Sequence, residues 1–355
     1  MTDIRSLEQT LGNNLSWNQA RINFLAKLIL ALIKVRNVNL TEVANGFGGK
    51  AAADSSYRRL KRFFQLFEIS YSAIALLLVK LMGLEAPFVL TLDRTNWKLG
   101  KSNLNILVLG VAYQGIAIPL LWTLLDKRGN SNTCERIALL SQYVALFGSE
   151  SIKYLSTDRE FIGKTWFEWL LKMKIDFRLR VRENTQVNNA KGELVSAKNL
   201  FRQLPVNQAL ALEEARQMWG LEIFISGMRL ESGEYLLIVA PHFVGEAIPE
   251  YGARWEIETL FGCLKSRGVN LEETHMIEPE KMKKLIALLA IAFCWAHKVG
   301  EWLQEQKAIK VKKHGRLAKS IFRRGLDHLQ EVVLNLAEKS KQIAFVQLIA
   351  ILSRT

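Results

Sequence analysis

Between Pro87 and Leu125 the chain carries three apolar runs in succession, PFVLTLD, LNILVLGVAY and IAIPLLWTLL, joined by short polar connections. Runs of this length and spacing predict an antiparallel β meander. The dipeptide Gln114-Gly115 between the second and third runs reads as a hairpin turn. With Pro119 it argues against a membrane span over 105–125. A helix at about 132–147 follows, then strand IKYLSTD, helix EFIGKTWFEWLLKMK and strand IDFRLRVREN. Three strands followed by alternating helix and strand make a mixed α/β sheet.

This core has different neighbours on each side. Residues 1–82 read as helical: WNQARINFLAKLILALIKV has 3.6-residue periodicity, and Asn39 or Thr41 caps NLTEVANGF. A further helix starts at Asp54, Ser55 or Ser56 and continues YRRLKRFFQLF, with Leu60, Phe63 and Phe64 facing inward. It presents Arg58, Arg59 and Arg62, a basic set suited to a DNA groove or to phosphates, or simply to water. Residues 186–247 carry Gly, Pro and short β-like runs and read as a β-rich insertion. Helices return after Gly268, and 276–355 form a C-terminal helical region with the basic runs KAIKVKKHGR and FRR, which contain Lys312, Lys313, Arg316 and Arg323.

The 355 residues hold 48 Lys plus Arg against 34 Asp plus Glu, a formal net charge of +14. Such an excess favours an anionic polymer as partner, with nucleic acid the leading candidate. The N-terminus MTDIRSLEQTLGN has acidic residues and no apolar core, so no secretory signal is read and a cytoplasmic, DNA-associated location is expected. LIALLAIAFCWA at 285–296 is too short to span a membrane. Cys134, Cys263 and Cys294 show no C-x-x-C pairing and read as reduced thiols. GFGGK at 46–50 lacks the spacing of a phosphate-binding loop.

The stretch YGARWEIETLFGCLKSRG, residues 251–268, is unlike an ordinary surface helix. On a helical wheel Tyr251, Arg254, Glu258 and Lys265 all fall on one narrow stripe. Ile257, Leu260, Phe261 and Leu264 gather on a separate sector that suits docking on a core. Gly262 lies near the polar stripe, where something approaching the backbone would justify it. The stripe presents a carboxylate flanked by two cations and a phenol.

Asp93 and Asp158 each close an apolar strand and are each followed by arginine. Strand ends in α/β sheets are where sites form. With Glu258 docked beside the same sheet edge, three carboxylates would repel one another unless a cation neutralised them. Hard oxygen donors suit Mg²⁺ or Mn²⁺. A site with two ions can activate a water or a 3′-hydroxyl and stabilise the leaving oxygen of an in-line phosphoryl transfer.

These residues carry a resemblance. The chain resembles DDE transposases of bacterial insertion sequences, the cut-and-paste group with a Y-(2)-R-(3)-E-(6)-K signature, which Tyr251, Arg254, Glu258 and Lys265 match at every position. TLDRTNW, STDREF, RLRVREN and RWEIETLFGCLKSRGVNLEETH match as well, and SSYRRLKRFF and KSIFRRGLD extend the likeness over nearly the whole chain. The resemblance implies a ribonuclease-H-like core over 83–185 and 248–275, with the β-insertion at 186–247 between the second Asp and the Glu. It implies an N-terminal DNA-binding domain over 1–82 and DNA contacts and dimerisation in 276–355. Asp93, Asp158 and Glu258 would hold two Mg²⁺ ions, replaceable by Mn²⁺. Tyr251, Arg254 and Lys265 would grip phosphates near the transferred end. Double-stranded DNA would be the partner, as terminal inverted repeats and as target, with a homodimer in the synaptic complex and a hairpin intermediate on the excised end. Related enzymes stack a flipped base on a large side chain of the insertion, for which Trp219 and Met228 are both candidates. Trp97, Trp255 and Trp295 read as core or sheet packing, and His275 as structural.

Two other classes fit the same features. A DNA-binding relic would bind without cleaving, and a metal-dependent nuclease would cut without strand transfer.

Overall fold

The computed structural model describes residues 3–48, 53–99, 102–313, 315 and 317–353. Local chemistry explains most element boundaries. Helices α1 (Asp3–Gly12), α2 (Gln19–Val35), α3 (Leu40–Gly46), α4 (Ala53–Leu66) and α5 (Tyr71–Met82) come first. Asn18, Asn39 and Ser70 cap α2, α3 and α5 by accepting from backbone N–H groups of the first turn. Helix α5 stops at Gly83, whose left-handed φ of 62° suits glycine.

The meander forms as β1 (Phe88–Leu99), β2 (Ser102–Tyr113) and β3 (Ile116–Leu124). Gln114 and Gly115 both have positive φ, the two-residue turn that matches strand twist. Pro119 sits opposite Gly110 at a register shift on β3, the sheet's edge strand, where a missing N–H is tolerated. Helix α6 (Thr133–Phe147) opens with a capping box of Asn132 and Glu135. Strand β4 (Ile152–Thr157), helix α7 (Lys164–Lys172) and strand β5 (Phe177–Val181) alternate as expected, although α7 begins four residues later than its apolar pattern suggested. The intervening 158–163 is an irregular loop.

The stretch after β5 does not stand apart from the sheet. It contains β6 (Gln186–Asn188), β7 (Leu194–Ser196), β8 (Ala209–Ala211), β9 (Arg216–Met218), β10 (Leu221–Arg229) and β11 (Tyr235–Ala240). Strand β11 pairs antiparallel with β5, and β10 with β11, so the described residues build one nine-stranded sheet in the order β3-β2-β1-β4-β5-β11-β10-β8, with β9 on β10. Strands β6 and β7 form a separate hairpin.

Helix α8 (Ala247–Tyr251) leads through a 3-10 turn, Gly252–Arg254, into α9 (Trp255–Leu264). The single helix expected over 251–268 is thus two, broken at Gly252, and Lys265 lies just past the end of the second. Ile257, Leu260, Phe261 and Leu264 are buried as the wheel predicted. A Cβ at Gly262 would meet only the flexible Arg267 side chain, so no tight approach explains that glycine.

Three helices finish the chain: α10 (Pro279–Gln306), α11 (Ile321–Leu334) and α12 (Lys339–Ser353). The apolar stretch 285–296 belongs to the 28-residue α10, which is long and apolar enough to cross a membrane. Length therefore does not exclude a span, contrary to the sequence reading. Its burial accounts for its composition, because 83% of the apolar window is inside the protein. Helices α10 and α11 touch backbone to backbone. A Cβ on Gly325 would overlap the Ala296 carbonyl oxygen, and one on Gly300 would overlap that of Ile321.

The chain divides into two compact units. One comprises Met1–Leu84, Trp97–Leu104 and Leu260–Thr355 and is largely helical; the other comprises Glu85–Asn96 and Asn105–Thr259 and holds most of the sheet.

Candidate active site

The site grows out of one pair of parallel strands. Strands β1 and β4 run in register from Val89↔Tyr154 to Leu92↔Thr157, and the next residues are Asp93 and Asp158. Parallel pairing therefore sets the two carboxylates side by side where the ladder ends. Asp158 follows the last residue of β4, as expected. Asp93 does not close its strand: β1 continues to Leu99, beyond its pairing with β4. A lone apolar run cannot reveal a strand that outlasts one partner.

Burial pushes the Asp93 carboxyl up to about 7. The Arg94 backbone N–H and the Arg254 guanidinium pull it down, while Glu160 and Asp158 raise it further. Asp158 accepts from the Tyr251 hydroxyl at 3.4 Å and has Arg180 of β5 at 3.7 Å. Burial also raises the Tyr251 phenol, so it stays protonated and able to donate.

Arg254 joins the carboxylates. It is 3% exposed, donates from one terminal nitrogen to Glu258 Oε1 at 2.6 Å, and brings the other to 3.5 Å from Asp93 Oδ2. Its guanidinium lies over the Trp255 ring at 4.4 Å and the Tyr251 ring at 5.8 Å. It therefore faces inward onto carboxylates and rings. Tyr251 is held from behind by Ile238, Ala247 and Ile248, with Met228 packed against that cluster. Deeper still, buried Arg178 binds Asp176 and Glu250, the residue before Tyr251.

Among the described residues, no group of three or more His, Cys, Asp or Glu side chains is gathered closely enough to hold a metal ion. By donor chemistry Asp93, Asp158 and Glu258 still fit a hard divalent ion. Asp93 and Asp158 are strand neighbours, and Arg254 bridges Asp93 to Glu258.

The transposase DDE domain family matches residues 91–295, more than half of the chain. The chain belongs to the DDE transposase family. Domains of this family cleave and join nucleic acid and use divalent metals. No curated protein matches the chain. A solved structure described as the piggyBac transposase synaptic complex with hairpin DNA is similar over 98% of this chain and 83% of that one, at 11% identity and a TM-score of 0.44.

The other sequence candidates are dispersed. Lys265 pairs with Glu272 at 3.2 Å, and its ammonium lies 5.5 Å from the Trp97 ring. On α4, Arg58 and Arg62 are exposed, while Arg59 lies over Phe24 at 5.3 Å. Lys312 and Lys313 are exposed, and Arg316 falls outside the described residues. Arg323 is tied to Asp327 and to the Arg267 carbonyl. Exposed His275 lines a cavity of about 640 Å³ in the helical unit with Tyr57, Lys61, Arg62 and Lys281.

Of the two flipped-base candidates, Trp219 sits in the β9–β10 turn with φ 56°, its ring edge-on to Phe167 at 5.5 Å. Met228 packs behind Tyr251. Trp295 is buried, as expected. Trp255 is not a core residue: it is 57% exposed, because α9 turns its apolar side inward at Ile257 and Leu260.

Sequence reasoning noted Arg94 only as the arginine after Asp93 and passed over Glu160 and Arg180. Each lies within a motif already singled out, TLDRTNW, STDREF or RLRVREN, and a cation or carboxylate adjoining the aspartates was the available signal.

Proposed function

We propose that this protein excises a bacterial insertion sequence and joins it to target DNA by metal-dependent phosphoryl transfer. The observation that carries this reading is the β1–β4 register, which brings Asp93 and Asp158 together, with Arg254 linking Asp93 to Glu258. In this reading Asp93, Asp158 and Glu258 hold two divalent ions, Mg²⁺ or in its place Mn²⁺. Bound there, such ions supply Lewis-acid stabilisation of the attacking and leaving oxygens.

The chain's own side chains do the remaining work. Tyr251 donates its hydroxyl to Asp158 and so fixes the carboxylate's orientation. Arg254 gathers Asp93 and Glu258 and offsets their repulsion until cations or DNA enter. Exposed Trp255, stacked beside that guanidinium, offers a flat face to a base. Lys265 contributes positive charge toward phosphate just after α9. Arg58, Arg59 and Arg62 on α4, with Lys312, Lys313 and Arg323, bind terminal inverted repeats through the backbone, which gives a salt-sensitive affinity. Excision proceeds through a hairpin, formed when a 3′-hydroxyl attacks the opposite strand's phosphodiester and expels the oxygen on its far side. Two copies pair two ends, and the protein acts in the cytoplasm on DNA.

The test is cleavage of a plasmid carrying the gene's own flanking DNA, with no metal, Mg²⁺ or Mn²⁺, by the parent and by Glu258→Ala. Metal-dependent double-strand breaks at two inverted ends, lost in the variant, are expected. Binding without cleavage under every condition identifies a relic, and cutting without insertion into a second plasmid identifies a nuclease.

A further inference from the structure

The loop that carries Asp158 has no regular structure of its own. It runs from Asp158 to Gly163, whose φ of 152° only glycine adopts readily, before α7 begins. One backbone bond within the turn joins the Phe161 N–H to the Asp158 carbonyl. The β1–β4 ladder brings the Asp158 backbone beside Asp93, and side chains from elsewhere hold the loop that follows it and so the carboxylate's final placement.

Two arginines do this. Arg94, next to Asp93 on β1, grips the Glu160 carboxylate with both Nε and a terminal nitrogen, each at 3.1 Å. Its other contacts go to Asn105 on β2 and to Asn130. Asn105 in turn holds the carbonyls of Lys127 and Gly129. From α6, buried Arg136 donates to the carbonyls of Glu160 and Ile162 and lies 5.1 Å over the ring of buried Phe161. Arg94 and Glu160 are 12% and 22% exposed, so this two-pronged pair is largely shielded from water, where such geometry is strong and rigid. Both Glu160 oxygens are committed to Arg94, so Glu160 is not a free metal donor although it stands two residues from Asp158.

We propose that the Arg94–Glu160 pair is a positioning device that fixes the spacing of Asp93 and Asp158 tightly enough to favour Mg²⁺. This inference rests on the reading of those aspartates as metal ligands. Mg²⁺ demands near-ideal octahedral geometry, and carboxylate oxygens accept Mn²⁺ as readily. A loosened spacing therefore penalises Mg²⁺ most. Arginine is required because only its planar fork binds both oxygens at once; lysine keeps the charge and loses the second bond.

The test is titration of the full-length protein with MgCl₂ and with MnCl₂, followed by calorimetry and, for Mn²⁺, by electron paramagnetic resonance, with thermal melts alongside. The parent is compared with Arg94→Lys, Glu160→Gln and Asp158→Asn. Arg94→Lys and Glu160→Gln are expected to weaken Mg²⁺ by roughly 10- to 100-fold, the range for partners that orient ligands, and Mn²⁺ by a clearly smaller factor. Arg94→Lys leaves no unpaired buried carboxylate, so it reports even if Glu160→Gln fails to fold. Unchanged Mg²⁺ affinity in Arg94→Lys, or an equal loss for both ions, overturns the positioning role while binding that depends on Asp158 stands. Failure of the parent to bind either ion, or an Asp158→Asn variant that binds as the parent does, overturns the metal site itself and this inference with it.

Discussion

Arg254 and Glu258 sit one helical turn apart and share a 2.6 Å hydrogen bond, with the arginine buried and the glutamate half-open to solvent. The contact spans the junction between the 3-10 turn and α9, so the ion pair also splints the break at Gly252–Arg254. One cation thus stabilises both the carboxylates and the chain path that presents them.

Removing it should be felt in stability before chemistry. Arg254→Ala leaves the Asp93 carboxylate without its guanidinium, and breaking a buried pair costs about 3–5 kcal/mol. The open side of Glu258 puts this case near the low end. Arg254→Lys keeps the charge and should lose less. Urea denaturation without divalent metal checks both, and an Arg254→Ala midpoint equal to the parent's would contradict the pairing.

Tyr251 separates a packing role from a hydroxyl role. Tyr251→Phe retains the ring against Ile238 and Ile248 and gives up one long bond to Asp158, so stability should change by less than about 1 kcal/mol. Tyr251→Ala opens a cavity and should cost about 3–5 kcal/mol. Cleavage rates should fall in both, because in each the Asp158 carboxylate loses its orienting donor.

A pH dependence is expected in the helical unit, at Asp327. Burial alone would raise its pKa, but Lys319, Arg36 and Arg323 outweigh that and hold the carboxyl below its ordinary range. A folded value below the unfolded one, about 3.9, means that the stabilisation is present above that pH and is lost as pH falls through the folded value. Parent and Asp327→Asn should therefore differ in melting temperature at neutral pH and converge in acid. A gap that persists once acid has protonated the carboxyl in the folded state would place the effect in packing rather than charge.

Gly325→Ala tests the backbone contact between α10 and α11. The added methyl would overlap the Ala296 carbonyl on α10, and overpacking of this kind costs about 1–3 kcal/mol or more because backbone cannot yield as a side chain can. A lowered melting temperature is expected, with Ser at the same position no better tolerated.

How much of this was legible in sequence follows the range of the interaction involved. The meander, the Gln114-Gly115 turn and the capping residues are local chemistry and were readable. Asp93 and Asp158 were findable as carboxylates after apolar runs, although the end of β1 was not, because its continuation depends on β2. The spacing of Tyr251, Arg254 and Glu258 named the right cluster while the wheel drew it as one continuous helix. Whether Arg254 faces water or carboxylates is decided by what packs on it, and the exposure of Trp255 by which side of α9 is inward. Neither is encoded in spacing alone. The Arg94–Glu160 pair joins residues 66 apart in sequence, which no local pattern reveals.

The antiparallel pairing of β11 with β5 has a topological consequence. The chain leaves β5 after Val181 and reaches β11, where Leu237 is Val181's register partner, only after laying down β8, β9 and β10, which extend the same sheet beyond β11. The β5–β11 pair is thus closed by a connection that is itself largely folded, with β10 paired on the other side of β11. Within that connection the β6–β7 hairpin lies outside the nine-stranded sheet, so it is the part that can be enlarged, trimmed or exchanged as a cassette while β4, β5, β11 and the aspartate after β4 keep their places.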